Sequence, residues 1–245
     1  MKVSKNILLV VSFSIAFAFI ESSVVIYIRE LYYPEGFDFP LKPMAFHIIV
    51  TEIFRELSTI IILISIGVLT GKSNIEKFAY FILSFAIWDL FYYVFLKILI
   101  NWPESLLTWD ILFFIPLTWV GPVIAPVINS ITMIILASCI IFYVQKSGKI
   151  KFDFLLWSLL VIGSLITIYG YTEEYTFFML QEFNLIELFG FGDVQALLKY
   201  AINFIPEYFN WYIFSFGELL FFTAIFIIIK RNPCYQGSKT PSFTK

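Results

Sequence analysis

Charge is scarce in this chain. Of 245 residues only 14% are charged, against about 25% in soluble domains. So few polar groups cannot cover a water-facing surface. Histidine occurs once, at His47, and cysteine twice, at Cys139 and Cys234. No two cysteines stand at metal-ligand spacing, which excludes the usual Cys/His structural zinc site for a single chain. Cys139 lies in an apolar run and Cys234 in the polar tail, so they are not placed to pair. A net charge of -2 gives no basic surface, and no nucleic-acid partner is expected.

What is abundant is apolar. Hydrophobic residues make up 60% of the chain, Phe alone contributes 30, and mean hydropathy is +0.88. Membrane lipid is the expected solvent and partner. Six apolar runs stand out, at 7–28, 47–69, 78–100, 123–144, 154–171 and 211–229, each 18 to 23 residues long. At about 1.5 Å per residue, such lengths cross a hydrocarbon core of about 30 Å. The runs are continuous rather than alternating, so helices and not a barrel are expected. The predicted fold is an all-α polytopic bundle of about six spans, a single domain over 1–231 with a short polar tail at 232–245.

The first run follows Lys2 and Lys5 and contains Ala16-Phe17-Ala18, which mimics a signal-peptidase site. Apolar character resumes at Val24–Ile28, so an uncleaved span is the expected form. Basic residues orient the set. With a cytoplasmic N-terminus, the inside segments hold 11: Lys2, Lys5, Lys72, Lys77, Lys146, Lys149, Lys151, Lys230, Arg231, Lys239 and Lys245. The outside segments hold three, Arg29, Lys42 and Lys199. This bias places both termini in the cytoplasm of a cell-membrane protein.

Two connections depart from the plain pattern. Residues 101–122 read NWPESLLTWDILFFIPLTWVGP, with an apolar part too short to span and prolines at 103, 116 and 122. They are expected either to lie on or re-enter the outer face, or to extend the fourth helix with a kink. In the first form Trp109, Asp110 and Trp119 become a lid. Residues 172–210 form a long outer loop, in which Thr176–Leu188 looks amphipathic and suited to the interface.

Seven ionisable residues fall within the spans: Glu21, Glu52, Arg55, Glu56, Asp89, Lys97 and Glu218. Each charge at mid-bilayer costs about 2.5–3.5 kcal/mol on insertion scales, so such groups face a bundle interior or a wet cavity. Glu52, Arg55 and Glu56 share one helix face, as do Asp89, Tyr93 and Lys97. Depth puts most of them between the middle and the outer face. Asn129 and Thr132 are candidates to add polar groups from the fourth helix. Five carboxylates against two cations suggest a polar cavity, open outward, with an excess of acid. Arg55 is expected to bridge Glu52 and Glu56, and Lys97 to find its partner on another helix. Intramembrane pairs also serve simply to fasten helices, and Glu218 fits that bland reading best.

Several motifs fail on inspection. Gly67–Ser73 has three residues between its glycines where a P-loop needs four, and it follows a span rather than a strand. Its Gly67 and Gly71 make a GxxxG pair, a weak sign of close helix packing. Gly190-Phe191-Gly192-Asp193 matches the GxGD of intramembrane aspartyl proteases over four residues only and reads as a turn. His47 sits at a helix end, where histidine is usually just solvated. No lysine in the last span supports a retinal linkage.

The stretch Trp88–Val127, WDLFYYVFLKILINWPESLLTWDILFFIPLTWVGPVIAPV, resembles a segment of uncharacterised multi-pass bacterial membrane proteins. That resemblance implies a fold and no reaction. Three functions remain open from the residues. The first is binding or transport of a cation, proton or small polar ligand, with Glu52, Glu56 and Asp89 supplying carboxylates, Arg55 and Lys97 tuning them, and Glu21 and Tyr93 alongside. The second is an integral-membrane enzyme acting on a lipid-linked or apolar substrate. The third is a structural or assembly role.

Overall fold

The computed structural model describes residues 5–115, 117–147 and 150–232, so the tail beyond Asn232, with Cys234, lies outside the described residues. Within them, six helices are long and apolar enough to cross a membrane. They are α1 (Lys5–Tyr32), α2 (Phe46–Thr70), α3 (Asn74–Ile100), α4 (Ile124–Ser147), α5 (Phe154–Met179) and α7 (Trp211–Arg231). The chain is a multi-pass α-helical membrane protein, as its run lengths predicted.

Helix ends follow local chemistry. Ser73 caps α3 through the Glu76 N–H, and Glu76 reaches back to the Ser73 N–H, a closed capping box. Asn101 ends α3 in the left-handed region, at φ 54°. Asp153 and Asn210 cap α5 and α7. α5 runs eight residues beyond its predicted span because an apolar count stops at Thr172 while the backbone does not. Its Glu174 accepts from the N–H groups of Glu207 and Tyr208, and Glu173 from Asn210, which ties this polar turn to the chain leading into α7.

α3 stands at the centre, with α1 and α2 on one side and α4 on the other. α4 also meets α7, which packs along α5. Leu83, Ile140, Leu156 and Ile228 are core members drawn from α3, α4, α5 and α7. The outer faces are as apolar as the core, with Leu9, Phe54, Leu69, Leu165 and Phe226 exposed. Lipid removes the hydrophobic drive between such helices, so close packing and polar contacts must hold them. The GxxxG pair supplies one such approach: a Cβ at Gly67 would stand 2.6 Å from the Lys77 carbonyl oxygen and 2.8 Å from the Phe81 nitrogen. α2 therefore crosses α3 backbone to backbone.

Residues 101–122 do not extend the fourth helix with a kink: α4 starts at Ile124, and the segment before it is a β-hairpin. β1 (Trp109–Phe113) pairs antiparallel with β2 (Trp119–Pro122), with Asp110 opposite Gly121 and Ile111 opposite Val120. Pro103 and Pro122 bar helix at both ends. Between them Trp109, Ile111, Phe113, Trp119 and Val120 favour extended backbone. A lone two-stranded ribbon is marginal. This one is clamped by burial of Asp110 and Val120 and by Trp119, whose ring stacks on Tyr171 at 5.7 Å. Gly121 lets the ring of Phe209 approach to 3.1 Å of where a Cβ would stand. Protein thus covers non-helical backbone that lipid would not tolerate.

The last long connection differs from its expectation too. Thr176–Leu188 is not one amphipathic helix, since α5 takes its first four residues and a turn follows. A π-helical turn (Glu187–Phe191) leads to α6 (Val194–Ala201). Asp193 caps α6 through the N–H groups of Gln195 and Ala196, so the GxGD-like run is a helix-capping turn. Alternation of the spans brings the three long connections to one end of the bundle. There Phe37 meets Trp102, and Phe39 meets Phe204.

Candidate functional site

That end encloses a cavity of about 590 Å³ between α1, α2, α3, the hairpin, α6 and the far end of α5. α2 contributes because its buried positions, Glu52, Glu56, Thr59, Leu63 and Gly67, recur at helical spacing on one stripe. The upper turns of that stripe carry the acids. α1 presents Glu21, Val25 and Arg29, each one turn from the last. α3 presents Trp88, Asp89, Tyr92 and Tyr93.

Two ion-pair sets hold the walls. Arg55 joins α2 to α1: it donates to Glu21 and, at 2.8 Å, to Glu52. Thr59 donates to the other Glu21 oxygen at 3.3 Å. The expected bridge from Arg55 to Glu56 is not made, because the arginine turns to α1 instead. Arg29 joins α1 to the hairpin, donating to Asp110 at 3.0 Å, while Tyr93 donates to the second Asp110 oxygen at 3.2 Å. The Arg29 guanidinium lies 3.6 Å from the Trp102 ring centroid and 4.6 Å from that of Phe37, so rings replace part of its water. Burial pushes the Asp110 carboxyl up to about 6, against the opposing pull of Arg29. Burial likewise raises the Tyr33 phenol at the cavity wall, against its bond from the Lys42 N–H.

Glu56 and Asp89 are different. Both line the cavity, and among the described residues neither forms an ion pair. Glu56 accepts the Phe114 N–H of the hairpin at 2.9 Å. Asp89 accepts the Ser130 hydroxyl of α4 at 2.7 Å and stays partly exposed because it faces the cavity. Among the described residues, each has one oxygen that accepts no hydrogen bond.

The remaining candidates divide. Glu21, Glu52, Arg55, Glu56, Asp89, Tyr93 and Asp110 come together around the cavity. Lys97 does not: three residues from the α3 terminus, it donates to the carbonyls of Asn101 and Pro103 instead of to another helix. Of the three lid residues only Asp110 borders the cavity. Trp119 is drawn away onto Tyr171, and Trp109 borders a smaller recess beside Phe39 and Pro206. Glu218 lies outside, accepting from Thr132, while Asn129 donates to Tyr171. The roof over the acids is formed by Leu112, Phe113, Phe114 and Leu117 of the hairpin.

Reasoning from spans missed three cations, Arg29, Lys42 and Lys199, all of which line the cavity. Lining groups thus number five carboxylates (Glu21, Glu52, Glu56, Asp89, Asp110) and four bases (Arg29, Lys42, Arg55, Lys199). The one available signal was Arg29, two turns along the Glu21 face. Lys42 and Lys199 arrive from connections whose paths no periodicity predicts. The chain matches no protein-family model, no curated protein and no solved structure.

Proposed function

We propose that this protein binds a cation or small polar ligand in the cavity, in a transport or sensing role, with Glu56 and Asp89 as the recognising groups. One observation carries the reading: among the described residues two cavity-facing carboxylates form no direct ion pair, whereas Glu21, Glu52 and Asp110 do. A charge held in low dielectric without a counter-ion is expensive, and a bound cation or donor offsets that expense. The charge bias of the loops supports an outward-facing cavity in the cell membrane, with both termini in the cytoplasm.

A thermal-stability screen of the purified protein tests this, with inorganic cations, organic amines and polar solutes run against wild type and the Glu56→Gln/Asp89→Asn double variant. The expected result is a ligand that stabilises wild type and binds the variant about ten- to a hundredfold more weakly, the value of one lost charge-assisted bond. If no ligand separates wild type from variant, the carboxylates are structural.

A second reading is an enzyme acting on an apolar or lipid-linked substrate, with Glu56 and Asp89 in acid–base work. It draws on the apolar walls that adjoin the acids, among them Val25, Ile49, Ile53 and Met179. Chemical change in a copurifying lipid, lost in the same variant, would favour it.

A further inference from the structure

The walls say more about the ligand than the acids do. Resting on the binding role proposed above, we infer that the ligand is an amphipathic organic amine: a protonated nitrogen held by a cavity acid that forms no ion pair, Glu56 or Asp89, and an apolar body along the walls.

The argument begins with the ions the site does not suit. A calcium ion takes six to eight oxygen ligands, and magnesium a near-octahedral set. Here Glu21 and Glu52 are engaged by Arg55, and Asp110 is engaged by Arg29 and Tyr93. Glu56 and Asp89 are left, and each has one oxygen already bonded. Among the described residues no group of three or more Asp, Glu, His or Cys side chains is arranged to hold a metal ion. A carboxylate with one oxygen free instead suits an N–H donor of an ammonium group, which needs no cage of ligands.

Size and lining point the same way. About 590 Å³ falls within the range of pockets that enclose drug-sized molecules. Beside the carboxylates the cavity meets Val25, Ile49, Ile53, Leu112, Met44 and Met179. A bare ion would leave that surface facing water, whereas an alkyl or aryl body would cover it, at about 25 cal/mol per Å² removed from water. Methionine adapts to ligands of irregular shape. The bases nearer the connections, Lys42 and Lys199, would repel an amine held beside them, and so favour its seat on the deeper acids.

The test is a matched series on the full chain in non-ionic detergent: octylamine, octanol and octanoate, with sodium, potassium and calcium chlorides alongside. Equal chain lengths control for partition into micelles. Binding is read by thermal shift and by quenching of Trp88, which lines the cavity, with Trp88→Phe to assign the signal. Octylamine is expected to bind saturably at least tenfold more tightly than octanol or octanoate. The Glu56→Gln/Asp89→Asn variant should lose that preference, and Glu218→Gln, outside the cavity, should keep it. The wild-type series stands by itself if the double variant misfolds. Stabilisation by an inorganic cation with none by octylamine would overturn this inference and leave the binding role intact. A preference for octanoate would overturn the inference and assign the site to the bases. No response to any compound would overturn both.

Discussion

Asp110 lies beside a guanidinium and still holds its proton to about pH 6, where an ordinary aspartate gives it up near 3.8. Burial outweighs Arg29 here, because taking a carboxylate out of water costs more than one cation returns. The groups facing it are Arg29 of α1, the Tyr93 hydroxyl of α3 and its neighbour's Ile111 N–H. The sign follows from folding having raised the value. The contribution of Asp110 to stability is fully present below 3.8 and is lost as pH rises through about 6. Thermal unfolding followed between those limits should therefore show a fall that Asp110→Asn removes. An infrared carboxyl band titrating near pH 6 in wild type, absent in the variant, identifies the group. A pH profile unchanged by Asp110→Asn would count against this assignment.

At the level of elements, α2 is the most lightly held of the spans that build the cavity. It packs chiefly on α3 and touches α1 far less. Among the contacts that fix it are the Arg55 bridge to Glu21 and the backbone approach at Gly67 and Gly71. Gly67→Ala should loosen the second, because the atoms it meets are backbone of α3 and cannot rotate away. A loss of about 1–3 kcal/mol is expected, the usual penalty of overpacking, measured by detergent- or heat-induced unfolding. Full stability in Gly67→Ala would mean that α2 sits farther from α3 than described. The same hint from GxxxG was legible beforehand, since small residues one turn apart have few other uses in a span. The hairpin was less legible. Its prolines argued against a straight helix but left a kinked one open, and the choice of strand depended on cover from Tyr171 and Phe209, which belong to distant segments.

Taken whole, the molecule gathers its long connections, its cavity and its recognising acids at one end, with the end of α2 and the starts of α3 and α5 at the other. The proposed orientation puts the cavity outside. Single cysteines at Glu104 and Lys72, in a Cys139→Ser/Cys234→Ser background, test this directly. An impermeant thiol reagent on intact cells should label Glu104→Cys and spare Lys72→Cys until the membrane is opened. The reverse pattern would turn the cavity toward the cytoplasm.

Number and type of spans were readable from residues alone, because lipid makes each span satisfy its own backbone within one local run of apolar residues. Which residues were polar within those runs was equally plain. Partnership was not. Whether Arg55 turns to Glu56 or to Glu21, and whether Arg29 stays in water or is buried against Asp110, depends on how helices far apart in the chain are rotated and set side by side. The same holds for the two carboxylates that form no direct ion pair. Glu56 and Asp89 looked no different from Glu21 and Glu52 as letters, and only the packing of α1 on α3, with α2 leaning across, separated the acids that are paired from those that face open space.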